Sequence, residues 1–152
     1  METTAGTGGA RTPGASAGTD SAMGWPVGGP WSVRSAARRG GRPALEIYED
    51  GELIDVLAAS SLSRELLRGA RRSAAGGRSS GSRGFAWGRL AHDGSVPSVA
   101  FAGARLRPHW RPAEVTTVAG EFWLAWAPGP LAAVQVRQSD GHTARLRPGR
   151  PL

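Results

Sequence analysis

Cysteine is absent from all 152 residues, and so are lysine and asparagine. Without cysteine the chain has no disulfide, no thiolate nucleophile and no cysteine-based zinc site. Small secreted domains commonly depend on disulfides, so the absence favours a cytoplasmic protein. Without lysine there is no Walker A phosphate loop and no Schiff base. Without asparagine there is no N-glycosylation. All 19 basic residues are arginine, and isoleucine occurs only at Ile47 and Ile54. That bias reflects a GC-rich coding sequence and gives no reason to think arginine was chosen for its forked geometry. Long apolar runs are also missing. The most apolar stretch, Phe122 to Val136, is interrupted by Pro128, Gly129 and Pro130. It is too short and too broken to span a bilayer, so no membrane partner is expected. The N-terminus lacks the basic and apolar regions of a signal peptide.

Glycine, by contrast, is abundant, with 23 residues, and 11 prolines accompany it. Much of the glycine lies in a leader over residues 1–42, rich in Gly, Ala, Ser, Thr and Pro, which is expected to be disordered. Met23 offers an alternative start within it. Trp25 and Trp31 sit in its Pro/Gly-rich end and are expected to pack back on the domain. The folded unit is then a β-rich domain over residues 43–150. An Arg-rich, partly helical insert is expected at 58–84, with Ser60 or Ser61 as its cap and a flexible Ser/Gly/Arg loop from Ser73 to Gly84.

The clearest element is ALEIYEDGELIDVL over residues 44–57, where Asp50-Gly51 separates two alternating runs. This predicts a two-residue hairpin with Ile47 opposite Ile54, and with Glu46 opposite Asp55 and an arginine nearby to offset the like charges. FAWGRL and Val96–Ala102 flank a turn at His92-Asp93-Gly94, and Pro97 makes the second strand either an edge strand or a late-starting one. EVTTV and EFWLAWA flank Ala119-Gly120, with Phe122, Leu124 and Trp126 on one face and Trp123 on the other. In the last hairpin a three-residue loop, Ser139-Asp140-Gly141, keeps the faces consistent and pairs Val136 with Ala144 and Val134 with Leu146. The fold class read from this pattern is mainly β. It consists of about eight short antiparallel strands in a barrel or a two-layer sandwich, in one small domain.

Chemistry-bearing motifs are sparse. G-x-S-x-G occurs at Gly14–Gly18 and Gly77–Gly81, in low-complexity chain with neither the strand nor the helix of a nucleophile elbow. His92 and His142 adjoin Asp-Gly turns, and a metal site from them with Asp93 or Asp140 has no support in the spacing. His109 lies between Pro108 and Trp110. The acidic group Glu46, Glu49, Asp50, Glu52 and Asp55 crowds one hairpin, where carboxylates are ordinarily solvated. No enzyme, cofactor or metal ion is therefore expected.

The charge map is uneven. Residues 44–65 hold six acidic groups and one arginine, whereas residues 66–112 hold nine arginines and one aspartate. The leading expectation is a non-enzymatic binding or regulatory module acting through protein contacts. The alternative is a nucleic-acid-binding β domain. It would use Arg68, Arg71, Arg72, Arg78 and Arg83 on phosphates, and Trp87, Trp110 and Trp123 for base stacking.

Overall fold

The computed structural model describes residues 24–37, 41–59, 65–73, 81–104, 106–129 and 131–147. Among these residues twelve strands form three four-stranded sheets, and every pairing is antiparallel. The first sheet is a meander of β1 (Gly24–Gly28), β2 (Trp31–Ala37), β3 (Pro43–Glu49) and β4 (Glu52–Ala58). Two hairpins make the middle sheet: β5 (Gly69–Arg72) with β6 (Arg83–Arg89), and β9 (Glu114–Val118) with β10 (Phe122–Pro128), in the order β5-β6-β10-β9. Two more make the third sheet: β7 (Ser98–Ala102) with β8 (Trp110–Pro112), and β11 (Ala133–Arg137) with β12 (Thr143–Leu146), in the order β12-β11-β7-β8.

The middle sheet is buried on both faces. Phe85, Trp87, Phe122 and Leu124 pack with Trp31, Val33, Leu45, Ile47 and Leu57 of the first sheet. On the opposite face Ala86, Trp123, Ala125 and Ala127 pack with Val99, Phe101, Val134 and Val136 of the third. Alternation along β6 and β10 sends successive side chains to opposite sides, so one pair of strands serves two cores. The result is a stack of three layers and not a barrel or a two-layer sandwich. The sequence pattern missed the third layer because FAWGRL and EFWLAWA are apolar on both faces. Such runs mark a strand covered on both sides.

Three further expectations are corrected. β1 and β2 fall inside the stretch read as a disordered leader. Trp31 and Val33 are core residues, 2% and 1% exposed, held by full pairing of β2 to β3; residues 1–23 lie outside the described residues. Within the insert, Gly69–Arg72 is a strand paired with β6, and no helix occurs among the described residues. The cap at Ser60 or Ser61 and most of the 73–84 loop lie outside them. Lastly, the first hairpin keeps its Asp50-Gly51 turn, both residues having positive φ, and pairs Tyr48 with Leu53. A β-bulge at Ile54 then shifts the register, so Ile47 faces Asp55, Glu46 faces Val56 and Leu45 faces Leu57. One extra residue flips every later side chain to the other face. Leu57 therefore enters the core, and Ile54 only packs against it.

Other readings agree with the structure. Val136 pairs with Ala144 and Val134 with Leu146, with Gly141 at φ 87°. Trp123 faces away from Phe122 and Leu124, toward the second core. β7 starts late, at Ser98 after Pro97. Among the described residues no helix is long and apolar enough to cross a membrane.

Candidate binding face on the third sheet

The residues expected to bind nucleic acid do not converge. Arg68 is tied to Glu65 at 2.7 Å and to Asp55 at 3.2 Å, and these bonds, the Glu65 one foremost, raise its pKa above the usual guanidinium value. Arg71 lies 3.8 Å from Glu49. Arg72 is half-buried at the end of β5 opposite Gly84, and Arg83 is exposed at the start of β6. Arg78 lies outside the described residues. Trp87 is buried and donates its indole N–H to Asp55 Oδ2 at 2.9 Å. Trp123 is fully buried and donates to the Leu66 carbonyl at 2.8 Å. Neither ring has a face open to a base. Trp110 alone of the three is partly exposed.

The acidic hairpin also has an internal role. Glu49 accepts the Trp31 indole N–H at 3.0 Å, and Asp55 accepts that of Trp87, so two carboxylates close the rim between the first and middle sheets. Glu46 accepts the Tyr48 hydroxyl proton at 2.7 Å and faces Arg34 across the ladder. Glu46 and Asp55 do not oppose each other, so no single arginine serves both: Arg34 pairs with Glu46 across the ladder and Arg68 bonds Asp55. Asp50 and Glu52, at the tip, remain exposed.

The turns carrying the histidines do meet, through Ser95 Oγ and Ser139 Oγ at 3.4 Å. Asp93 accepts from Ser95, first through its hydroxyl and then its backbone N–H, which lowers its pKa. Asp140 accepts the His142 backbone N–H at 2.8 Å. Among the described residues no group of three or more potential metal ligands assembles.

The third sheet does gather functional groups, on its outer face. Val134 and Val136 point to the core, so Ala133, Gln135 and Arg137 point outward on β11. By cross-strand pairing the same face carries Arg145 and Thr143 of β12, Ser98, Ala100 and Ala102 of β7, and Trp110 and Pro112 of β8. Ala102 is 1% exposed yet belongs to neither interlayer core, and it pairs with Trp110 across the ladder. Two small residues, Ala102 and Ala133, stand in register with Trp110, whose indole is partly exposed. Arg145 then reaches it, its guanidinium carbon 5.6 Å from the ring centroid, while its Nε donates to Gln135 at 3.0 Å. This is a cation–π stack braced from below. On this face the four strands carry Arg137 and Arg145 and no acidic residue, whereas Arg111 pairs with Phe101 and belongs to the opposite face.

Sequence reasoning picked out Trp110 but missed Arg145, Gln135 and Arg137. The last hairpin's register already placed Gln135 opposite Arg145 on the outer face. Their meeting with Trp110 depends on β8 joining β7, which no local pattern encodes. No protein-family model, curated protein or solved structure matches this chain.

Proposed function

We propose that this protein is a non-enzymatic binding module that docks an acidic partner protein on the outer face of its third sheet. The observation that carries the reading is the partly exposed Trp110 beneath Arg145, on a face that carries Arg137 and Arg145 and no acid. Tryptophan and arginine are the residues most enriched at the energetic centre of protein interfaces. The basic surround steers an acidic partner and disfavours a basic one. Base stacking has less support. Two of the three expected tryptophans are buried, the third is capped by a guanidinium, and Arg68 and Arg71 are held by carboxylates. The lack of cysteine supports work in a reducing compartment such as the cytoplasm.

Titration with a short Asp/Glu-rich peptide, at about 0.15 M salt so that long-range charge effects are screened, tests this. The expected result is movement of the Trp110 indole N–H resonance, identified by its loss in Trp110→Phe, while those of Trp31, Trp87 and Trp123 stay fixed. An oligothymidylate of equal charge that binds more tightly at that salt, with the peptide inert, would overturn the reading in favour of nucleic acid.

A further inference from the structure

We infer that the acidic partner is a second copy of this chain, whose β3–β4 hairpin tip docks on the third sheet. The inference rests on the reading of that sheet as the binding face and names its occupant. The tip, Asp50-Gly51-Glu52-Leu53, presents two exposed carboxylates and a leucine that is 48% exposed. Among the described residues Asp50 and Glu52 form no ion pair, and neither does Arg137. The other members of the acidic group, Glu46, Glu49 and Asp55, already have internal partners. Each patch thus carries charge left over after the fold has satisfied its own groups. The two surpluses have opposite sign, and each lies beside an apolar side chain, Leu53 or Trp110.

The layer order prevents one molecule from using both patches on itself. The first and third sheets pack on opposite faces of the middle sheet, and the Trp110 face points away from both. A tip can reach such a face only on another copy. That contact is heterologous, joining two different surfaces. It propagates head to tail into a ring or an open chain, unlike a two-fold dimer, which would end with two copies. Leu53 would lie against the Trp110 ring, with Asp50 and Glu52 toward Arg137 and Arg145. The net charge of +7 opposes assembly, so the association is weak and local complementarity must drive it.

Sedimentation velocity of the full chain over a range of concentrations, at low salt and at about 0.15 M, provides the test. Wild type is expected to form species larger than dimer at low salt. Two variants separate the patches: Asp50→Asn with Glu52→Gln, and Arg137→Gln with Arg145→Gln. Each exposed pair lost is expected to weaken association by up to about fivefold. Either variant alone then stays monomeric at concentrations where wild type assembles. Their equimolar mixture forms dimer and nothing larger, because one intact tip meets one intact face. A wild type that is monomeric throughout, or variants that assemble as wild type does, would overturn the inference. Peptide titration of the same samples separates the two levels. A monomeric protein whose Trp110 resonance still moves with peptide retains the binding face and loses the self-partner. One that shows neither loses both.

Discussion

The first sheet meets the middle one through large rings and a polar rim. Trp31 stacks on Phe85 with centroids 5.5 Å apart, Phe85 touches Trp87 at 5.1 Å, and Glu49 and Asp55 receive the indole protons at the edge. The third sheet meets it through small residues. Gly84, Ala86, Gly88, Ala125 and Ala127 face that way, and Leu131, Phe101 and Trp123 fill the space above them. A side chain on Gly84 would run into Leu131, and one on Gly88 into the Leu66 carbonyl and the Trp123 ring. Alternating large and small residues along β6 thus makes one contact an aromatic stack and the other a close approach. The outer faces differ as well. The aromatic on the first sheet, Tyr48, has both Arg34 and Glu46 beside it, whereas Trp110 on the third has arginine and no acid. One outer face neutralises its own charge and the other keeps a surplus.

If the contact with the third sheet depends on few large side chains, its most sensitive point is Trp123. Replacing it by alanine opens a cavity and leaves the Leu66 carbonyl without its donor, and an expected loss of about 3–5 kcal/mol follows in denaturant unfolding. Trp87→Phe, which keeps most of the ring volume on the other face, is expected to cost about 1–3 kcal/mol, mainly from losing the indole hydrogen bond to the Asp55 carboxylate, which keeps Arg68. Equal losses would break the contrast between the two contacts. The first sheet has its own internal test in the bulge. Ile47→Ala is expected to cost about 2–5 kcal/mol because Ile47 is fully buried. Ile54→Ala should cost clearly less, since the bulge leaves Ile54 at the margin of the core. Similar values would restore the unbulged pairing. Gly84→Ala comes next, with an expected loss of about 1–3 kcal/mol from overpacking. Leu131→Ala in the same molecule should recover part of that loss, as two residues contesting one space couple non-additively.

Much of this architecture was legible in the sequence because it depends on local chemistry. Asp50-Gly51 set the first turn. The demand for consistent faces chose the loop before Thr143, and alternation separated Trp123 from its neighbours. The parts that were not legible depend on distant residues. In LIDVL an unbulged strand would bury Ile54 and Val56, whereas the bulge buries Leu57, leaves Ile54 at the core margin and Leu53 exposed. The choice follows from Asp55 meeting the Trp87 indole, 32 residues away in sequence. Composition alone condemned the Gly-rich approach to Trp31, although burial of Trp31 and Val33 and a full ladder to β3 hold β2 in place. The proposed binding face was half legible. Gln135 and Arg145 follow from the hairpin register, but their neighbour Trp110 arrives on a three-residue strand from elsewhere in the chain.

The smallest expected effect bears on the outer faces, and the single tyrosine of the chain makes it measurable. The Tyr48 hydroxyl donates to Glu46, so losing its proton breaks that bond and sets two negative charges together. Its pKa is therefore raised above 10.0, with the Glu46 bond the main cause and Arg34 pulling the other way. The folded state binds this proton more tightly than the unfolded chain. The contribution to stability is fully present below the free tyrosine value and is lost as pH rises through the raised one. Tyrosinate absorbance during alkaline titration should show a midpoint above that of free tyrosine. Glu46→Gln should bring the midpoint down, because the carboxylate charge and its acceptor strength both go, and Arg34→Ala should move it further up. A midpoint indifferent to both would mean that Arg34 and Glu46 do not act on this ring. The first sheet's outer face would then no longer be the self-neutralised counterpart of the surface around Trp110.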